Sequence, residues 1–244
     1  MKKAFSLIIT ILMVCCFLSG CKTNKVENKP KENPKLSSEE EALLKRGKEI
    51  MKKYKLVAEK RTVKEIYDKT MIRLNSVEAI FQKTPPAKGS AWYDKMVGEY
   101  NDKATKWMAL VKDDPRPRKV QNNDVCLLEY SCYINDNNWF DQYNFMYIIK
   151  EGNYRKDFAF KIDDFPVLKE ILLRDLGQDY TDFIQDYMNF QIKDSLKTEG
   201  PKSSLTAERY PELRVTNLSV RKNSAQSLCL NLTIPLGSGK SIVK

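Results

Sequence analysis

Apolar residues in the first half of the chain recur at helical spacing. Ser37 or Ser38 followed by Glu39, Glu40 and Glu41 reads as a helix start, a hydroxyl cap with acids in the positive first turn. Leu43, Leu44, Ile50, Met51, Tyr54 and Val57 then form one stripe. Thr62 with Glu65 three residues on has the form of a capping box. It opens a second helix striped by Val63, Ile66, Tyr67, Met71, Leu74, Val77, Ile80 and Phe81 and stopped by Pro85-Pro86. A third helix is predicted from near Ser90, with Tyr93, Met96, Val97, Tyr100, Ala104, Trp107, Met108 and Val111 on its stripe. Three adjacent amphipathic helices favour a self-packed bundle over a coiled coil for a partner.

Asp113-Asp114-Pro115-Arg116-Pro117-Arg118 breaks that pattern, and beyond it the period changes from 3.6 to 2. Cys126, Leu128, Tyr130, Cys132 and Ile134 alternate with more polar neighbours, as do Tyr143, Phe145, Tyr147 and Ile149, and then Phe158, Phe160 and Ile162. Joined at Asn135–Asn138 and at Glu151-Gly152-Asn153, these read as three strands of an antiparallel meander. A helical pair follows Pro166, divided at Gly177, and after a loop near Gly200-Pro201 the stretches Leu213–Val220 and Leu228–Ile234 read as a last hairpin. The expected class is α+β: a helical section over 37–112, then an antiparallel sheet domain over 113–244 with inserted helices. Whether the helices pack on the sheet is left open by the pattern.

The first residues belong to neither part. Lys2 and Lys3 precede an apolar run from Ala4 to Leu18, too short for a stable span of about 20 apolar residues. Leu18-Ser19-Gly20-Cys21 ends it. This stretch resembles the export signal and lipobox of bacterial lipoproteins. The resemblance covers the signal alone and implies removal of residues 1–20 and acylation of Cys21, with two or three chains giving near-permanent membrane attachment. Lys22, in place of Asp after the acylated Cys, favours the outer membrane where the host has one. Residues 21–36 then hold the lipidated Cys and a polar, Pro-interrupted tether with a reach of roughly 20 Å.

Export changes how charge and cysteine are read. The mature chain keeps 40 basic against 32 acidic side chains, a balance of +8. In the envelope the available polyanions are lipid headgroups, cell-wall polymers or lipopolysaccharide, and nucleic acid is not expected as a partner. Cys126, Cys132 and Cys229 remain, an odd number. Cys126 and Cys132 lie about 20 Å apart along a strand. Buried free thiols are expected, with a Cys229 disulfide to one of the others as the lesser alternative.

The chain has no histidine, which removes Ser–His and Cys–His nucleophilic pairs and the usual metal ligand. Gly237-Ser238-Gly239-Lys240-Ser241 looks like the tail of a phosphate loop, but Ile234 stands where the first Gly is required and no helix can follow. Acid pairs occur at Asp113/Asp114, Asp163/Asp164 and Glu39–Glu41, in capping or turn positions without spacing that ties them to one cleft. No catalytic residue, cofactor or metal site is assigned.

Asn135–Asp141 is the most informative mature stretch. Asp136, Asn138, Trp139, Phe140 and Asp141 form a candidate partner-binding tip, where aromatics stack on a sugar face or anchor a protein while amides bind hydroxyls. The commoner fate of such aromatics is to fold back into the core. The expectation is a lipid-anchored envelope protein, without enzymatic activity, that binds a protein or glycan partner; an immunity or inhibitor role against a secreted toxin is not separable from it. The alternative is a histidine-independent carboxylate hydrolase of envelope polysaccharide.

Overall fold

A computed structural model describes residues 37–54, 58–83, 94–101, 103, 106–115, 124–197, 217–222 and 227–242. The signal, Cys21, the tether, Val57, Pro85-Pro86, Ser90, Tyr93, Ala104, Arg116–Arg118, the Gly200-Pro201 loop and the start of the last hairpin before Asn217 lie outside the described residues. The chain from Ser37 on belongs to one unit, and its fold is α+β.

In chain order the elements are α1 (Ser38–Lys53), β1 (Glu59–Thr62), α2 (Val63–Gln82), β2 (Asp94–Val97), β3 (Lys106–Asp113), β4 (Val125–Asn135), β5 (Asn138–Ile149), a 3-10 turn (Ile162–Asp164), α3 (Pro166–Lys197), β6 (Asn217–Lys222) and β7 (Leu228–Ile242). Both N-terminal caps form as the sequence predicts. Ser37 accepts from the Glu40 amide at 3.2 Å, Thr62 accepts from the Glu65 amide at 3.2 Å, and each glutamate reaches back to its cap.

The strands form one sheet in the order β1-β7-β5-β4-β3-β2, with β6 also paired to β7. All pairs are antiparallel except β1 with β7. β7 has one edge on β5, while its other edge is shared by β6 along 228–233 and β1 along 239–242. On one face α2 lies against β3, β4, β7 and β1, α3 against β6, and α1 against α3. Tyr54 at the end of α1 meets Tyr180 edge-on at 5.1 Å and donates its hydroxyl to the Leu176 carbonyl. The core is the layer between that sheet face and the helices: Leu74, Val77 and Phe81 from α2, Leu128 and Tyr130 from β4, Tyr143 and Phe145 from β5, Ile171, Leu172 and Ile184 from α3.

The structure corrects three readings of the pattern. The expected third helix is replaced by a pair of strands, and among the described residues of the section read as 37–112 helix ends at Gln82. Trp107, Ala109 and Val111 point to the core at period 2 while Met108 stays exposed, and the Trp107 indole donates to the Gly98 carbonyl at 3.1 Å. The aromatic and β-branched residues there satisfied both periods, and sheet pairing with β4 decided between them. The three-helix bundle accordingly does not form. Phe158–Ile162 is likewise not a strand: the Phe160 amide donates to Asn189 Oδ1 at 2.7 Å, its carbonyl accepts from Asn189 Nδ2, and the Ile162 amide donates to Gln185 Oε1. An extended chain laid on α3 takes its hydrogen bonds from helix side chains, and alternation cannot distinguish that from a ladder. The meander is therefore β3-β4-β5. Gly177 does divide α3, at φ 77° and ψ 177°, a region open to glycine almost alone. Cys126, Cys132 and Cys229 are buried free thiols.

Candidate functional site

Asp136 and Asn137, with φ of 48° and 65°, make a two-residue turn in the left-handed region that their short polar side chains tolerate. This locks Asn135 opposite Asn138 and turns the expected aromatic loop into paired strand. Side chains of β5 then alternate between the two faces. The five candidate residues are thereby separated: Trp139 and Asp141 face the helices, Asn138 and Phe140 the other side, and Asp136 stays in the turn.

Trp139 is a core residue, 1% exposed. Its indole donates to the Glu59 carbonyl at 3.2 Å, and the Arg61 guanidinium lies 4.6 Å from the ring centre. The ring rests on Gly237, where a Cβ would fall 2.7 Å from its edge. At Gly239 a Cβ would fall 1.8 Å from the Glu59 carbonyl oxygen. The glycines of the Gly237–Ser241 stretch thus admit a tryptophan and a close parallel strand.

Asp141 enters a charged network between β5, α2 and α3. Arg73 bridges Asp141 at 3.7 Å and Asp175 at 3.3 Å; Arg174 grips Asp175 with Nε and a terminal nitrogen at 2.7 and 2.9 Å and also donates to the Tyr143 hydroxyl. Tyr143 donates to Asp175. Burial pushes the Asp141 carboxyl above its ordinary range despite Arg73. At Asp175 burial acts in the same direction, but hydrogen bonds from Arg174 and Tyr143 outweigh it and hold the carboxyl below that range. Burial, with Asp141 nearby, raises the Cys132 thiol to about 12. Each described group here ties one element to another, as a structural clamp does.

The acid pairs read from sequence do not converge. Asp113 and Asp114 are buried, with the Asp114 amide bonded to Asp113 Oδ1; Asp163 pairs with Lys169; Glu40 completes the α1 cap; Glu39 pairs with Lys193. A groove of about 340 Å³ between α1 and α3 holds Glu39 and Asp186, and Lys193 and Arg46 pair with them.

The opposite sheet face has a different character. Among the described residues no helix packs on it. Sheet register aligns Met108, Tyr133, Phe140 and Ser238 in one row across β3, β4, β5 and β7, and Met96, Leu110, Ser131 and Gln142 in the next. Met96, Met108 and Phe140 are 49%, 43% and 37% exposed, and Tyr133 stacks on Phe140 at 5.1 Å and 26°. Beyond them Gln142 donates to Asn144, which donates to Glu129 and Ser131, with Lys112 on Glu129. Of the sequence candidates, Phe140 and Asn138 lie on this face. Met96, Met108 and Tyr133 were missed, because only the pairing of distant strands brings them together.

No family model matches the chain, and no curated protein or solved structure matches it.

Proposed function

We propose that this chain is a lipid-anchored protein of the bacterial cell envelope whose folded unit is a non-enzymatic binding module, receiving its partner on the open sheet face. The observation that carries the reading is the row Met108–Tyr133–Phe140, in which Met108 and Phe140 are exposed and Tyr133 half-buried, with exposed Met96 beside it. Contiguous exposed apolar side chains rimmed by polar ones mark contact surfaces, and aromatic residues and methionine are favoured in them. The Leu18-Ser19-Gly20-Cys21 signal supports the anchor, and no histidine is present to serve a hydrolase. The hydrolase alternative gains no observation, since Asp163 and Glu39 are engaged in ion pairs, Glu40 in a cap and Asp113 in a backbone contact.

Capture from envelope extract on the full chain in detergent tests the binding surface. A partner retained by wild type, lost by Met108→Asp with Phe140→Asp, and kept by Ile72→Asp on exposed α2 supports it. Retention by all three places binding elsewhere and overturns it. Cys21→Ala tests the anchor: the variant is expected to lose its acyl mass and leave the membrane fraction, and an acylated Cys21→Ala protein would refute the lipobox.

A further inference from the structure

At the hairpin end of the same face, the row beyond the aromatic pair is basic. Register places Lys106 beside Asn135, Asn135 beside Asn138, Asn138 beside Lys240, and Lys240 beside Lys60. Five strands, β3, β4, β5, β7 and β1, therefore present Lys–Asn–Asn–Lys–Lys in a line on one side. At about 4.8 Å per strand the row is roughly 19 Å long. All three lysines are exposed, and among the described residues none of them makes an ion pair. Lys60 and Lys240 are direct cross-strand neighbours, a like-charge contact that costs stability unless an anion offsets it. Two acids adjoin the row in sequence: Asp136 follows Asn135 in the exposed turn, and Glu59 precedes Lys60 and pairs with Arg61. One row inward lies the stacked Tyr133–Phe140 pair, with Ser238 beside it.

We infer that this end of the face binds an anionic polysaccharide, a reading that rests on the open face being the contact surface. Charge complementarity selects an anionic ligand, since the row is basic and the mature chain carries +8. The second row selects among anions. The aromatic pair offers apolar surface for contact with sugar rings, and Asn135, Asn138 and Ser238 are side chains suited to hydroxyls. A row of charges running from strand to strand suits an extended polymer lying across the strands.

The test uses the Cys21→Ala full chain, free of acyl chains and of detergent, with three probes: polygalacturonate, neutral dextran, and phosphatidylglycerol vesicles. Vesicle binding is scored as the part that the three lysines supply. Polygalacturonate is expected to bind at low salt and dextran not to bind. Lys60→Ala, Lys106→Ala and Lys240→Ala combined should weaken binding about 100-fold at low salt, by analogy with lysines at an anionic surface. Phe140→Ala, which leaves the charge intact, should weaken it about tenfold, as loss of an aromatic stacking partner does. Unchanged melting temperatures separate these effects from unfolding. Vesicle binding without polygalacturonate binding overturns the proposal in favour of a lipid surface. Polygalacturonate binding that ignores the lysines, or ignores Phe140, overturns it too. Binding to no probe also overturns it, yet leaves the binding-module reading standing if Met108→Asp with Phe140→Asp still abolishes envelope capture.

Discussion

At the scale of single residues the interior is decided by a few close approaches. Gly239→Ala is expected to disrupt the sheet, because the new methyl group meets backbone rather than a movable side chain; a cooperative unfolding transition at wild-type denaturant concentration would contradict it. Trp139→Ala should cost about 3–5 kcal/mol in denaturant unfolding, as for other large aromatics removed from cores. Asp141 and Asp175 share Arg73 but respond to pH in opposite senses. Asp175, held below the ordinary carboxylate range, contributes stability that is present above about pH 4 and is lost as pH falls through its folded value. Asp141, raised by burial, contributes stability that is present below its unfolded value and lost as pH rises through its folded one. Asp175→Asn should therefore cost about 2 kcal/mol near pH 7, less than a fully buried pair because Arg73 is 32% exposed, while Asp141→Asn costs little or stabilises. Urea unfolding of both variants at pH 7 and pH 3 checks this, and equal losses at pH 7 would defeat it.

Among the elements, those fixed by local chemistry were legible and those fixed by distant pairing were not. Thr62 with Glu65, and Ser37 with Glu40, announce helix starts because each cap is closed within four residues. Thr62→Ala should remove about 1 kcal/mol, read as a lowered melting temperature. Gly177 was legible as a divider, since its backbone angles are nearly closed to other residues; Gly177→Ala should cost about 1–3 kcal/mol. The alternation of Cys126 to Ile134 and of Tyr143 to Ile149 gave β4 and β5 with their buried faces. Trp107 to Val111 failed as a helix because the partner that stabilises β3 lies some 25 residues along the chain in β4. For the candidate site, Phe140 and Asn138 were visible from sequence, but their neighbours Met108, Tyr133, Lys106, Lys240 and Lys60 come from four other strands. The two-residue turn that split Trp139 from Phe140 has no Asn-Gly signature, and the left-handed Asp136-Asn137 pair was read as part of a longer loop.

For the molecule as a whole, burial governs reactivity and topology governs assembly. Cys132, with its thiol raised to about 12 and its side chain buried, should resist alkylation in the native state at pH 8 and react on unfolding; rapid native labelling would contradict the packing described. The placement of β7 has a further consequence. The last strand sits inside the sheet, between β5 and the two strands on its far edge, so β1 and β6 cannot pair until residues 228–242 are present. A chain still on the ribosome thus lacks the strand that joins its early and late parts. Its meander can form, but the sheet cannot close on β1 and β6 until the tail arrives, so completion of the fold waits on the end of synthesis.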